Sequence, residues 1–286
     1  MDFRALLMGL SFVLMWSSAF TSARIAVAYA SPLLLLSVRF LISGLLAMLI
    51  AKALGQRISL TRNQWLAVAL FGLLQNGVYL GANFVAMQWI EAGLAAIIAS
   101  ILPLLVALLS WLFFKEKLPI LAVLGLCAGL GGVIIIMWSQ LSGGADITGV
   151  VLAFLGVGAL SLATLLVRGA TSSGNILMVV GLQMLVASAA LFPASVAFET
   201  WYVVWSWQLI VAFTYTTLVP GVLATLIWFL LVRRIGAVRS SSFHFLNPFL
   251  GVAIAAAVVG ESLTLQDIAG VFVITLGIIA VQLSKR

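Results

Sequence analysis

Polar side chains set inside long apolar runs are the places where this chain could do chemistry. Each costs free energy in a low-dielectric surround unless it meets a partner or a cavity. Gln75, Asn76, Tyr79 and Asn83 recur at spacings of three and four and so share one face of a helix. Ser240, His244, Asn247 and Gly251 form a second such stripe. Trp16 and Ser17, Ser100, Ser161 and Thr164, and Trp228 complete the expected lining of a substrate cavity. These groups donate and accept hydrogen bonds and stack, but they do not assemble a reaction centre. The chain has one His and one Cys, and no Asp or Glu lies in the middle of an apolar run. A nucleophile with its base, a carboxylate pair and a metal-ligand set are all missing. The expected chemistry is therefore binding, with no catalytic residue, no metal and no cofactor. No phosphate-binding loop is present either, so ATP is not expected to drive the process within this chain.

The elements that must position these residues follow from composition. Hydrophobic residues make up 64% of the 286, charged residues 7%, and the mean hydropathy is +1.29. That leaves too few charges to cover a soluble core. In a bilayer every backbone polar group must be satisfied within its own segment or a closed barrel, and the runs here are continuous rather than alternating, so helices are expected. Turn residues and charges divide the chain into ten segments, at about 5–27, 32–52, 64–87, 93–113, 120–139, 147–167, 175–197, 207–231, 239–259 and 267–284. The first is too long and too polar for a signal-peptide core and reads as a retained span. The net charge of +7 does not point to nucleic acid, because the bases sit singly or in pairs between apolar runs. Cys127, alone in an apolar helix, reads as packing.

Those bases orient the chain. With ten spans, twelve of the fourteen Lys and Arg residues fall on the side that holds both termini, which makes that side cytoplasmic. Arg24 and Arg39 are the exceptions. Arg39, about eight residues into span two, is expected to snorkel or to meet a helix C-terminus before it would bind a carboxylate, since it lies one helix from the expected cavity. Trp65, Trp89, Trp138, Trp201, Trp205 and Trp207 fall near span ends and read as an interfacial belt, which leaves Trp16, Trp111 and Trp228 as the informative three.

Sliding the chain along itself by 145 residues superposes Pro103 on Pro248, Glu116 on Glu261, Leu118 on Leu263, Gly125 on Gly270 and Gly132 on Gly277. Two five-helix units, 1–141 and 142–286, are expected. Five is odd, so the second unit must enter the membrane inverted, an arrangement associated with alternating access around a midplane site. Pro103 and Pro248 each remove one helix bond and free a carbonyl, at Ala99 and His244, so spans four and nine are expected to kink. With Gly251 these prolines are the expected hinges. His244 has no mid-span acid as a relay partner and is expected to contact substrate rather than to carry protons.

The same residues carry a resemblance. Glu91-Ala92-Gly93 through Pro103 to Lys115-Glu116-Lys117-Leu118 and Gly125 resembles the signature of the EamA-type transporters of the drug/metabolite transporter superfamily. Arg234-Ile235-Gly236-Ala237 through Asn247-Pro248 to Gly260-Glu261-Ser262-Leu263-Thr264 and Gly270 resembles it again. Trp16-Ser17-Ser18-Ala19-Phe20, Pro32 and Arg39-Phe40 are similar to the family's opening pattern. The resemblance implies ten helices, a central cavity and export of a small metabolite. The Trp- and Tyr-rich helices look most like the aromatic amino-acid exporters of the YddG type. The expected protein is an all-α, multi-pass transporter of the bacterial inner membrane, acting as a monomer on small neutral solutes such as apolar and aromatic amino acids. Exporters of drugs or other metabolites, or a channel-like facilitator of the same fold, are the alternatives.

Overall fold

The computed structural model describes residues 3–115, 119–142, 144–166, 175–235, 240, 242–261 and 264–284. The expectations for Glu116, Lys117, Leu118, Ala237 and Leu263 lie outside the described residues.

The described chain is helical. Two long helices open it, α1 (Phe3–Val27) and α2 (Pro32–Ala53), with Pro32 in the first turn, where a missing N–H is harmless. The third segment is α3 (Arg62–Phe71), a π-helix over Gly72–Leu80, and α4 (Gly81–Ala86). α5 (Ala92–Ser100) and α6 (Leu102–Phe114) form a broken fourth segment, followed by α7 (Ile120–Ser142), α8 (Ile147–Leu166) and α9 (Ile176–Phe198). The eighth segment repeats the build of the third, with α10 (Trp207–Thr216), a π-helix over Thr217–Ala224, and α11 (Thr225–Ile235). A 3-10 turn at Ser242–Leu246 leads into α12 (Asn247–Val259), and α13 (Leu265–Ser284) follows. Seven helical segments among the described residues are long and apolar enough to cross a membrane. Shorter apolar helices at Ile120–Ile136, Phe249–Val259 and Leu265–Gly277 stand where the fifth, ninth and tenth spans are expected.

Local chemistry explains the helix starts. Thr61 and Gln64 form a reciprocal capping box ahead of α3, and the Ser206 side chain accepts the Leu209 amide ahead of α10. Two carboxylates cap helices from far along the chain. Glu199 takes the amides of Leu33 and Leu34 at 2.7 and 3.0 Å, and Glu261 takes those of Ala92 and Gly93 at 2.7 and 2.8 Å. A negative side chain is well placed there, against free N–H groups and the positive end of the helix dipole.

Features recur at the 145-residue spacing of Pro103 and Pro248. The two π-helices begin at Gly72 and Thr217. The broken fourth and ninth segments end on left-handed residues, Lys115 (φ 53°) and Gly260 (φ 71°). The breaks themselves fall at Ile101 and Leu246, just before the two prolines.

The most extensive helix pairings are α7 with α13 and α2 with α9. Both depend on small residues that let backbones approach. A Cβ at Gly132 would meet the Gly270 carbonyl oxygen at 2.8 Å, and one at Gly277 would meet that of Gly125 at 2.5 Å. Gly125 and Gly132 match Gly270 and Gly277 in the repeat, so the two contacts exchange partners, as an antiparallel pairing about a two-fold axis does. In the other pair, Gly44 and Gly181 each face the other's carbonyl, and Ser188 Oγ donates to the Ser37 carbonyl at 2.8 Å.

Candidate functional site

A narrow cavity lies among α1, α2, the third segment, α9 and the second π-helix. Gln75, Asn76, Tyr79, Leu80, Asn83, Phe84 and Met87 supply one wall. Gln75-Asn76 and Tyr79-Leu80 of the π-helix and Asn83-Phe84 of α4 are neighbouring pairs four residues apart, with Met87 following singly. Asn83 is set by a local contact, its Nδ2 donating to the Tyr79 carbonyl at 2.9 Å. Gly156 of α8 makes room for it, since a Cβ there would stand 2.7 Å from that Nδ2.

Trp16, Phe20 and Ala23 of α1 form the facing wall. Pro220, Gly221 and Thr225 close the cavity from the eighth segment. The Thr225 hydroxyl donates to the Pro220 carbonyl at 3.4 Å.

Arg39 is where the structure departs from the sequence-based expectation. It neither snorkels nor pairs with a helix end, but lines the cavity at 3% exposure. Its guanidinium carbon lies 5.1 Å from the Phe40 ring centre and 5.8 Å from that of Phe84. Among the described residues its Nε has no hydrogen-bond partner, and neither does Nδ2 of Asn76 in the same cavity. The rotation of α2 about its axis decides this placement, and spacing along the chain does not encode that rotation.

His244 and Asn247 sit at the other end of Trp16. The Ser17 hydroxyl donates to Asn247 Oδ1 at 3.2 Å, and Asn247 Nδ2 lies 2.8 Å from His244 Nδ1. An amide nitrogen only donates, so Nδ1 accepts and the ring proton sits on Nε2. The imidazole is packed by Phe12, Trp16 and Trp228, with ring centres 5.2, 6.0 and 5.2 Å away. Phe243 covers Gly9 of α1 beside them. These side chains form an aromatic plug adjoining the cavity, with Trp16 shared between the two.

Of the expected lining residues, Trp16, Gln75, Tyr79 and Asn83 meet in the cavity, while Ser17, Trp228, His244 and Asn247 belong to the plug. Ser100, Ser161 and Thr164 turn back on their own helices, donating to the carbonyls of Ile97, Gly158 and Leu160. Trp111 faces outward and is 48% exposed. Pro103 stands at the break between α5 and α6, and Pro248 in the first turn of α12. Gly251 packs on Ala96, whose Cβ would lie 2.4 Å from a Cβ placed there. Sequence reasoning missed Met184, Phe84 and the Pro220-Gly221 corner. Pro220, a proline inside an apolar run, was the one available signal for that corner.

Comparison with known proteins agrees with this architecture. Residues 3–138 and 147–283 each match the profile of the EamA-like transporter family. The chain is 30% identical to the uncharacterized inner membrane transporter YedA of Escherichia coli over 296 residues, covering 100% of this chain and 94% of that protein. It is 26% identical over 275 residues to the uncharacterized transporter YvbV of Bacillus subtilis, covering 96% and 90%. A solved crystal structure superposes with a TM-score of 0.72 at 20% identity, covering 98% of this chain and 96% of the other, a likeness of fold.

Proposed function

The chain belongs to the EamA-like transporter family, and on that premise we propose that it exports small amphipathic metabolites, foremost amino acids with apolar or aromatic side chains. The observation that carries this reading is the cavity. Its walls combine Trp16, Phe20, Phe40, Tyr79 and Phe84 with the amides of Gln75, Asn76 and Asn83. Aromatic faces suit an apolar body and convergent amides suit its polar end. A single cation among apolar walls is a poor match for multiply charged phosphates.

The proposed mechanism is alternating access between two inverted five-helix units, 1–141 and 142–286, in a ten-span chain with both termini in the cytoplasm. Support comes from the paired π-helices, the paired breaks at the prolines, and the exchanged glycine contacts between α7 and α13. Rocking of one unit against the other would open the cavity to one side while the aromatic plug around His244 shuts it from the other. Pro103 and Pro248 are the proposed hinges. The setting is the bacterial inner membrane, and the working unit is a monomer.

Counterflow of a labelled aromatic amino acid in proteoliposomes tests the proposal. Saturable uptake that rises when the lumen is preloaded with unlabelled solute is the expected result. Non-saturable flux without counterflow would replace the transporter by a channel-like facilitator. Preference for a dication over amino acids in the same system would overturn the substrate class.

A further inference from the structure

The unpaired charge in the cavity narrows the substrate class, provided the cavity is the transport site proposed above. Arg39 is buried at 3% exposure, and its Nε has no partner among the described residues. The described acids are all placed elsewhere. Glu199 and Glu261 cap helices, Asp146 binds the amides of Thr148 and Gly149, Asp267 binds Thr264, and Glu91 precedes α5 outside the lining. No carboxylate among the described residues lines the cavity. A buried cation without a counter-charge is costly, and the cost is largest in a membrane interior.

The groups around Arg39 have the geometry of a receptor. Nδ2 of Asn76, also unsatisfied and 3% exposed, lines the same cavity and supplies a second donor. Gly221 stands where a Cβ would come within 3.5 Å of Arg39 Nη2, so the missing side chain keeps the guanidinium edge approachable. The rings of Phe40 and Phe84 lie near the guanidinium and help to hold it in place. A planar fork of N–H donors, with an amide donor lining the same cavity, suits the two oxygens of a carboxylate.

We propose that Arg39, with Asn76, is the anchor for a carboxylate on the transported solute, so that the substrate class is a monocarboxylate with an apolar or aromatic body. An ammonium group finds no acidic partner in the lining, and it is therefore not what the site selects. Amino acids qualify through their carboxylate, and carboxylic acids without an α-amino group qualify equally.

The test uses the full-length protein in nanodiscs, with tryptophan fluorescence and thermal shift as binding readouts and counterflow as the transport readout. The probes are phenylalanine, 3-phenylpropionate, and the two corresponding amides. Both acids should bind, and both amides should bind about tenfold or more weakly, the loss of one charge-assisted contact. R39Q should bring the acids down to the level of the amides. N76L should keep the apo melting temperature, since the Asn76 donor has no partner to lose, and should weaken both acids by about threefold to tenfold. That second variant keeps the proposal exposed if R39Q fails to fold. Equal binding of acids and amides by the wild type, or full acid affinity in either variant, would overturn the anchor. Equal transport of acids and amides removes the anchor and leaves the transport reading standing. Absence of binding and counterflow for all four removes both.

Discussion

Glu261 reaches across the fold to Gly93, its Oε2 taking the Gly93 amide proton at 2.8 Å while Oε1 takes that of Ala92. The two residues are 168 positions apart, yet the carboxylate does what a neighbouring N-cap does. Glu199 does the same for Leu33 and Leu34, and the Gln56 side chain accepts the Met178 amide at 3.2 Å. Helix starts in one part of the chain are thus completed by loops from another.

Removing such a cap should loosen the fold without touching the cavity. E261A is expected to lower stability by about 1–2 kcal/mol, and E261Q by less because it keeps an acceptor. Thermal unfolding in detergent measures both, and an unchanged melting temperature for E261A would contradict the capping role.

Glycine contacts between α7 and α13 give a comparison within one helix. A Cβ at Gly132 meets backbone at 2.8 Å, whereas one at Gly131 meets nothing within 4 Å. G132V should therefore destabilise by about 2 kcal/mol or more through overpacking, and G131V should be close to neutral. Equal effects on folded yield and melting temperature would refute the packing geometry.

Lys115 ends α6 with φ at 53°, in the left-handed region that favours glycine. Its counterpart at the end of α12 is Gly260 at φ 71°. K115G should stabilise the protein by about 1 kcal/mol by relieving that strain, read as a higher melting temperature. A loss of stability would show that the Lys115 side chain makes a contact worth more than the strain.

The single histidine allows a direct look at the plug. Nitrogen-15 NMR of histidine-labelled protein should report a neutral ring protonated at Nε2, the tautomer that Asn247 imposes. N247L should lose that tautomer preference and destabilise by about 1–3 kcal/mol, because Ser17 and His244 are left without their partner. An Nδ1-protonated ring in the wild type would reverse the assigned hydrogen bond.

Glu91 predicts a pH effect. Partial burial chiefly, then the negative charges of Glu261 and Asp267, hold its carboxyl above the usual carboxylate range, with Arg24 opposing. A raised folded-state value means the folded protein binds more protons than the unfolded chain in that window, so this group's contribution to stability falls as pH rises through it. E91Q should remove that decline. Its melting temperature should exceed the wild type above the window and converge with it at lower pH.

Much of this was legible in the sequence, for a physical reason. Hydrocarbon forces backbone bonds to close within each segment, so hydropathy alone defined an all-helical membrane protein. Pro103 with Pro248 and Glu116 with Glu261 are rare residue types in this chain, so one coincident offset was enough to reveal the repeat. The stripe Gln75, Asn76, Tyr79 and Asn83 reached the cavity because its residues share a helix, and a helix preserves their relative placement. Tertiary structure decided which faces of different helices meet. The π winding at Gly72–Leu80 and Thr217–Ala224 turns the side chains beyond it, and the rotation of α2 sets where Arg39 points. Ser100, Ser161 and Thr164 looked equally polar on paper but satisfy themselves on their own helices. Arg39 cannot, because its guanidinium is too long and too charged to be satisfied by the helix that carries it. The sequence supplied the charge, and only the packing of four other segments around it placed that charge in a cavity.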